Sequence, residues 1–117
     1  MESYRDLIVW NRAMELARAA YDIARLLPGE ERYALADQIR RSAVSIPSNI
    51  AEGYGRNSTR EYVRFLSIAR GSRYELETQI LLSVELGYVS GQDISTFMRL
   101  SEEVGKMLNS MINKLGE

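Results

Sequence analysis

Four stretches of this chain repeat apolar residues at steps of three and four, and none alternates apolar with polar residues long enough to make a strand. That pattern restricts the chain to helices packed side by side. The first stretch covers about residues 4–27. Leu7, Ile8, Ala13 or Met14, Leu16 or Ala17, Ala20 or Tyr21 and Ala24 return to one side of it, and Pro28-Gly29 stops it. The second covers about 30–52, with Leu35, Ile39, Ala43, Ile46 and Ile50 at steps of 4, 4, 3 and 4. Pro47 lies inside this stripe, where it removes a backbone donor and crowds the carbonyl of Ala43. The stripe continues on both sides, so a kinked but continuous helix is predicted, with Ser42 and Ser45 placed to bond nearby carbonyls. The third stretch covers about 58–87, opened by a Ser58–Glu61 capping box. Tyr62, Phe65 or Leu66, Ala69, Leu76, Ile80 and Val84 form its buried face, and Gly71 is expected to admit another backbone. The fourth covers about 90–115, with Ile94, Phe97 or Met98, Val104, Leu108, Met111 or Ile112 and Leu115. Short connections between four amphipathic helices are most simply satisfied by an antiparallel up-down-up-down four-helix bundle, a single all-α domain over residues 1–117.

The residue inventory bears on chemistry. The chain has no cysteine and no histidine. Thiolate metal sites, cysteine nucleophiles and disulfides are thereby excluded, as are histidine metal ligands and the commonest general base near neutral pH. Carboxylate bundles with a Glu-x-x-His pair and serine triads both lack a required partner. The reading is therefore a non-enzyme, with no cofactor. The longest uncharged run, Ser42 to Ala51, is ten residues, against about 20 for a membrane-spanning helix. The opening MESYRDLIVW lacks the basic start and apolar stretch of a secretory signal, so a cytoplasmic, membrane-free protein is expected.

Polar residues also fall into stripes. Gln38, Arg41, Ser45, Asn49 and Glu52 recur at steps of 3, 4, 4 and 3, and Ser72, Glu75 and Gln79 do the same on the third helix. If helices two and three pair about Arg56, facing residue numbers sum to about 112. Arg41 is then level with Ser72 and Glu75, Gln38 with Glu75, and Glu52 with Arg60 and Arg64. Two readings stand: exposed ion pairs, or a partly buried structural network of Gln38, Arg41, Asn49, Glu52, Ser72 and Glu75 that fixes register or assembly. Net charge is −1 but uneven: residues 40–75 carry seven arginines and three acids, a local +4. Arg56, Arg60 and Arg64 stand four apart with Tyr54 and Tyr62 beside them, a strip suited to phosphates and stacked bases. With Arg40, Arg41, Arg70 and Arg73 they form the candidate nucleic-acid-binding set. The alternative is internal pairing with Glu52 and Glu61, which the pI near 5.6 favours. Trp10, Tyr54 and Tyr62 are candidate interface anchors.

The run Leu35-Ala-Asp-Gln-Ile-Arg-Arg-Ser-Ala-Val-Ser-Ile-Pro-Ser-Asn-Ile-Ala-Glu-Gly53 resembles the signature of the 23S rRNA-intervening-sequence (S23) proteins. Phe65-Leu66, Ala69-Arg70-Gly71-Ser72, Glu75, Gly87-Tyr88 and the opening Leu7-x-x-Trp10 are similar to the same family, so the resemblance covers essentially the whole chain. It implies a four-helix bundle that assembles with itself into a ring, typically a homopentamer, with no enzymatic activity. It also implies kinship with accessory proteins of diversity-generating retroelements, which work with a reverse transcriptase. RNA or a nucleic-acid-associated protein is the second class of partner implied.

Overall fold

The computed structural model describes residues 2–116 of the 117. Each apolar stripe becomes one helix: α1 (Ile8–Ala24), α2 (Leu35–Tyr54), α3 (Thr59–Glu85) and α4 (Ser95–Leu115). The stripes locate the helices, but local hydrogen bonds set the ends. Tyr4–Asp6 forms a separate 3-10 turn, in which the Ser3 hydroxyl accepts from the Arg5 N–H and the Asp6 carboxylate accepts from the Ser3 N–H. Leu7 is extended (φ −72°, ψ 127°), so the chain enters α1 at an angle. Leu7 and Val9 consequently point inward, and Ile8, expected on the buried face, is 68% exposed.

The second helix starts five residues later than its stripe suggests. Gly29–Glu31 makes another 3-10 turn, and the Leu35 N–H at the start of α2 donates to the Glu31 carboxylate at 3.2 Å. Glu31 thus supplies the capping oxygen that Ala34 lacks. The helix then runs unbroken through Pro47. The Ser42 hydroxyl lies within 3.0 and 3.2 Å of the carbonyls of Gln38 and Ile39, and the Asn49 amide donates to the carbonyl of Ser45. At α3 the Ser58 hydroxyl accepts from the Glu61 N–H, while the Glu61 side chain turns to Arg64, leaving the capping box half made. Gly87 closes α3 at φ +78°, with Tyr88 N–H reaching the Ser83 carbonyl and Gly87 N–H that of Val84. This closure needs a left-handed residue, which glycine adopts without strain. Ser90 and Asp93 exchange reciprocal bonds across the following turn, and α4 begins at Ser95 rather than at 90.

Neighbours in sequence are neighbours in space, and α4 closes the bundle against α1. The α2–α3 pairing is the most extensive, and α1 and α3 stand across the diagonal. The body measures 43 × 24 × 22 Å. Its long axis matches the 27 residues of α3, which span about 40 Å. Leu16, Ile39, Ile46, Ile50, Leu66, Leu76, Ile80, Phe97 and Leu108 are fully buried at the centre. Each contributes about 1.5–3 kcal/mol by leaving water.

Candidate functional site

A polar seam runs between α2 and α3. The Ser42 hydroxyl donates to Gln79 Oε1 at 2.7 Å, the Ser45 and Ser72 hydroxyls share a bond of 2.8 Å, and the Asn49 amide donates to Ser45 Oγ at 3.0 Å. Facing residues here sum to 117–121 rather than 112. The first turn of α3 therefore overhangs the end of α2, because Gly53 packs under Phe65: a Cβ on Gly53 would stand 2.8 Å from Phe65 Cβ. This shift decides the membership of the seam. Asn49 and Ser72 are in it. Gln38, Arg41 and Glu75 line a shallow cleft of about 300 Å³ at its edge. Arg41 extends into solvent, 80% exposed, and pairs with Asp37, and Glu52 pairs with Arg56 rather than with Arg60 or Arg64.

The most buried charge lies on the other side of α3. Arg73 Nη1 donates to Glu77 Oε2, Ser101 O and Ser101 Oγ, each at 3.1 Å, and the Ser101 hydroxyl donates to Glu77 Oε2 at 2.6 Å. Its Nε is buried without a partner among the described residues. The guanidinium lies where Gly105 lacks a side chain: an ideal Cβ there would be 2.6 Å from Arg73 Cζ. A guanidinium stays protonated and only donates, so this group locks α3 to α4 and offers no base. Sequence reading missed it. A mid-helix glycine four residues after Ser101, facing an Arg–Glu pair spaced four apart, is the signal that was available.

The seven candidate arginines fall in three places. Arg40 and Arg41 share Asp37 near the start of α2. Arg70 bonds Asn109, and with Arg73 it faces α4. Only Arg56, Arg60 and Arg64 gather, at the α2–α3 corner. Arg56 and Arg64 lie over the Phe65 ring at 4.6 and 4.8 Å while pairing with Glu52 and Glu61. Arg60 enters no ion pair among the described residues. Tyr54 and Tyr62 meet edge to face beside them, and burial, then the neighbouring Tyr54, raises the Tyr62 hydroxyl above its usual pKa.

A groove of about 560 Å³ opens between α1 and α2. Tyr4, Trp10, Met14, Tyr21, Val44 and Pro47 line it, with Arg18 and Arg25 at its rim and no acid in its wall. Tyr4 and Trp10 pack edge to face at 5.2 Å, which holds the indole half-buried at one end. Among the described residues no group of three His, Cys, Asp or Glu side chains is placed to hold a metal ion. Among the described residues no helix is long and apolar enough to cross a membrane.

A sequence profile described as 23S rRNA-intervening sequence protein matches residues 5–110, from the entry to α1 to the last turns of α4. The chain belongs to that family. The family's four-helix frame is also seen in a solved structure of a protein of unknown function from the S23 ribosomal protein family of Bacteroides thetaiotaomicron. The two superpose with a TM-score of 0.82 at 26% identity, over 90% of this chain and 98% of that one. No curated protein is significantly similar. Within the 23S rRNA-intervening sequence protein family, the α2–α3 seam, the Arg73 lock and, Tyr4 apart, the α1–α2 groove fall inside the matched span.

Proposed function

We propose that this family member is a non-enzymatic, ring-forming interaction or scaffold protein of the cytoplasm, a homopentamer. The outer face of α3 carries this reading. Ile68, Tyr74, Leu81 and Leu82 remain exposed there after the bundle has closed, with Leu86 just past its end, five of the ten large apolar side chains that do so among the described residues. Apolar surface concentrated on one element marks a contact with another protein. A chain without histidine or cysteine also lacks the groups that most often perform acid–base or covalent chemistry. Light scattering on the purified protein at micromolar concentration tests the reading: a mass near five chains is expected, and a monomer refutes it.

A second reading is an RNA-binding accessory protein, akin to those of diversity-generating retroelements. Its support is the α2–α3 corner, where the free Arg60 stands beside Arg56 and Arg64. Binding to structured RNA that weakens steeply between about 50 and 200 mM salt, and is lost when these three become alanine, is its signature. Absence of binding at the lower salt removes it.

A further inference from the structure

The exposed face of α3 and the groove between α1 and α2 have opposite shapes and opposite charges. The groove is concave and apolar, and its only charged lining residues are arginines. Arg25 is held by Asp22 at 2.6 Å, but Arg18 enters no ion pair among the described residues. The α3 face is a convex ridge. Tyr74, Leu81 and Leu82 stand out from it at 54, 45 and 44% exposure. Glu75 and Glu85 flank them, both exposed and neither in an ion pair among the described residues. The two acids lie ten residues apart, about 15 Å along the helix, and the two arginines seven apart, about 10 Å.

A chain cannot dock its own ridge into its own groove, because α1 and α3 stand across the bundle diagonal. The geometry points to a second copy of this chain as the occupant: the α3 ridge of one copy seats in the α1–α2 groove of the next, with Glu75 and Glu85 meeting Arg18 and Arg25. This deepens the self-assembly reading above and rests on it. Because the two surfaces differ, the contact is heterologous, and repeating it closes a ring or grows a filament. Trp10 and Tyr21 in the groove and Tyr74 on the ridge are the aromatic anchors such a contact concentrates.

The absence of cysteine permits a direct test. Met14→Cys places a thiol in the groove and Leu81→Cys one on the ridge, both at exposed positions. In the double variant, mild oxidation is expected to link chains into covalent ladders, because each groove thiol meets a ridge thiol. Each single variant is expected to stay uncrosslinked under the same oxidation, because groove never meets groove. Crosslinking of either single variant demonstrates a two-fold contact and overturns the inference. A double variant that assembles by light scattering yet forms no intersubunit disulfide overturns it also, while leaving the self-assembly reading intact. A wild-type chain that is monomeric removes both. Arg18→Glu is expected to weaken assembly, and Glu75→Arg with Glu85→Arg in the same chain to restore it.

Discussion

A Cβ on Gly71 would meet nothing within 4 Å, one on Gly53 would strike Phe65 Cβ at 2.8 Å, and one on Gly105 the Arg73 guanidinium at 2.6 Å. One substitution therefore has different outcomes at three helical sites. Gly71→Ala is expected to stabilise the fold by up to about 1 kcal/mol, since only helix propensity changes. Gly53→Ala is expected to destabilise it by about 1–3 kcal/mol, because Phe65 Cβ is fixed to the α3 backbone and the helices must move apart. Gly105→Ala is expected to destabilise as well, by pushing Arg73 out of its bonds to Ser101 and Glu77. Urea midpoints at unchanged slope measure all three. Stabilisation by the Gly53 or Gly105 variant would contradict the packing described. The sequence places Gly71 and Gly105 inside helical stretches and Gly53 just past the end of one, and does not say which of them is crowded. Gly71, expected to admit a neighbouring backbone, faces open space instead, because the helices that come close to α3 do so through their own glycines, α2 at Gly53 and α4 at Gly105.

Among the elements, the α2–α3 pairing carries the register. Its seam is short-range and hydroxyl-rich, so its contribution is measured by coupling rather than by deletion. A double-mutant cycle on Ser45→Ala and Ser72→Ala is expected to give about 0.5–1.5 kcal/mol of interaction energy, and additivity would mean that the 2.8 Å bond adds nothing. The loop between α3 and α4 is tied to the start of α2 by the Tyr88 hydroxyl, which donates to Glu31 at 2.8 Å. That bond to Glu31, then burial, raises the Tyr88 pKa in the folded protein. The folded state thus holds this proton more tightly than the unfolded one. The resulting stability is complete below about pH 10, the unfolded value, and is lost as pH rises through the folded one. The difference in urea midpoint between wild type and Tyr88→Phe should stay constant across neutral pH and shrink above about pH 10. A difference that grows there would mean the sign is wrong. The stripes found the four helices, while their ends were set by side chains reaching across turns, at Asp6, Glu31 and Asp93, whose distances no periodicity encodes.

For the whole molecule, the two functional readings separate by surface. The proposed assembly uses the α1–α2 groove and the α3 ridge, and the proposed nucleic-acid contact the α2–α3 corner. Changing Arg56, Arg60 and Arg64 together to alanine is therefore expected to leave the oligomeric mass unchanged while removing any salt-dependent RNA binding. Loss of assembly in that variant would show that the corner belongs to the interface. The seven arginines that make residues 40–75 basic in sequence do not make a basic face. Asp37, Glu52, Glu61 and Glu77 each take one or two of them.

The sequence by itself determined that the chain is four amphipathic helices, which residues of α2 face the core, and that Pro47 sits within one continuous helix. Periodicity is a local property, and burial enforces it wherever a helix has one apolar side. Tertiary structure alone decided the α2–α3 register, the burial of Arg73 beside Gly105, and the leucines left uncovered on α3. Each depends on how far one helix slides along its neighbour. That offset is fixed by contacts such as Gly53 on Phe65, made between residues 12 positions apart in sequence and in different helices.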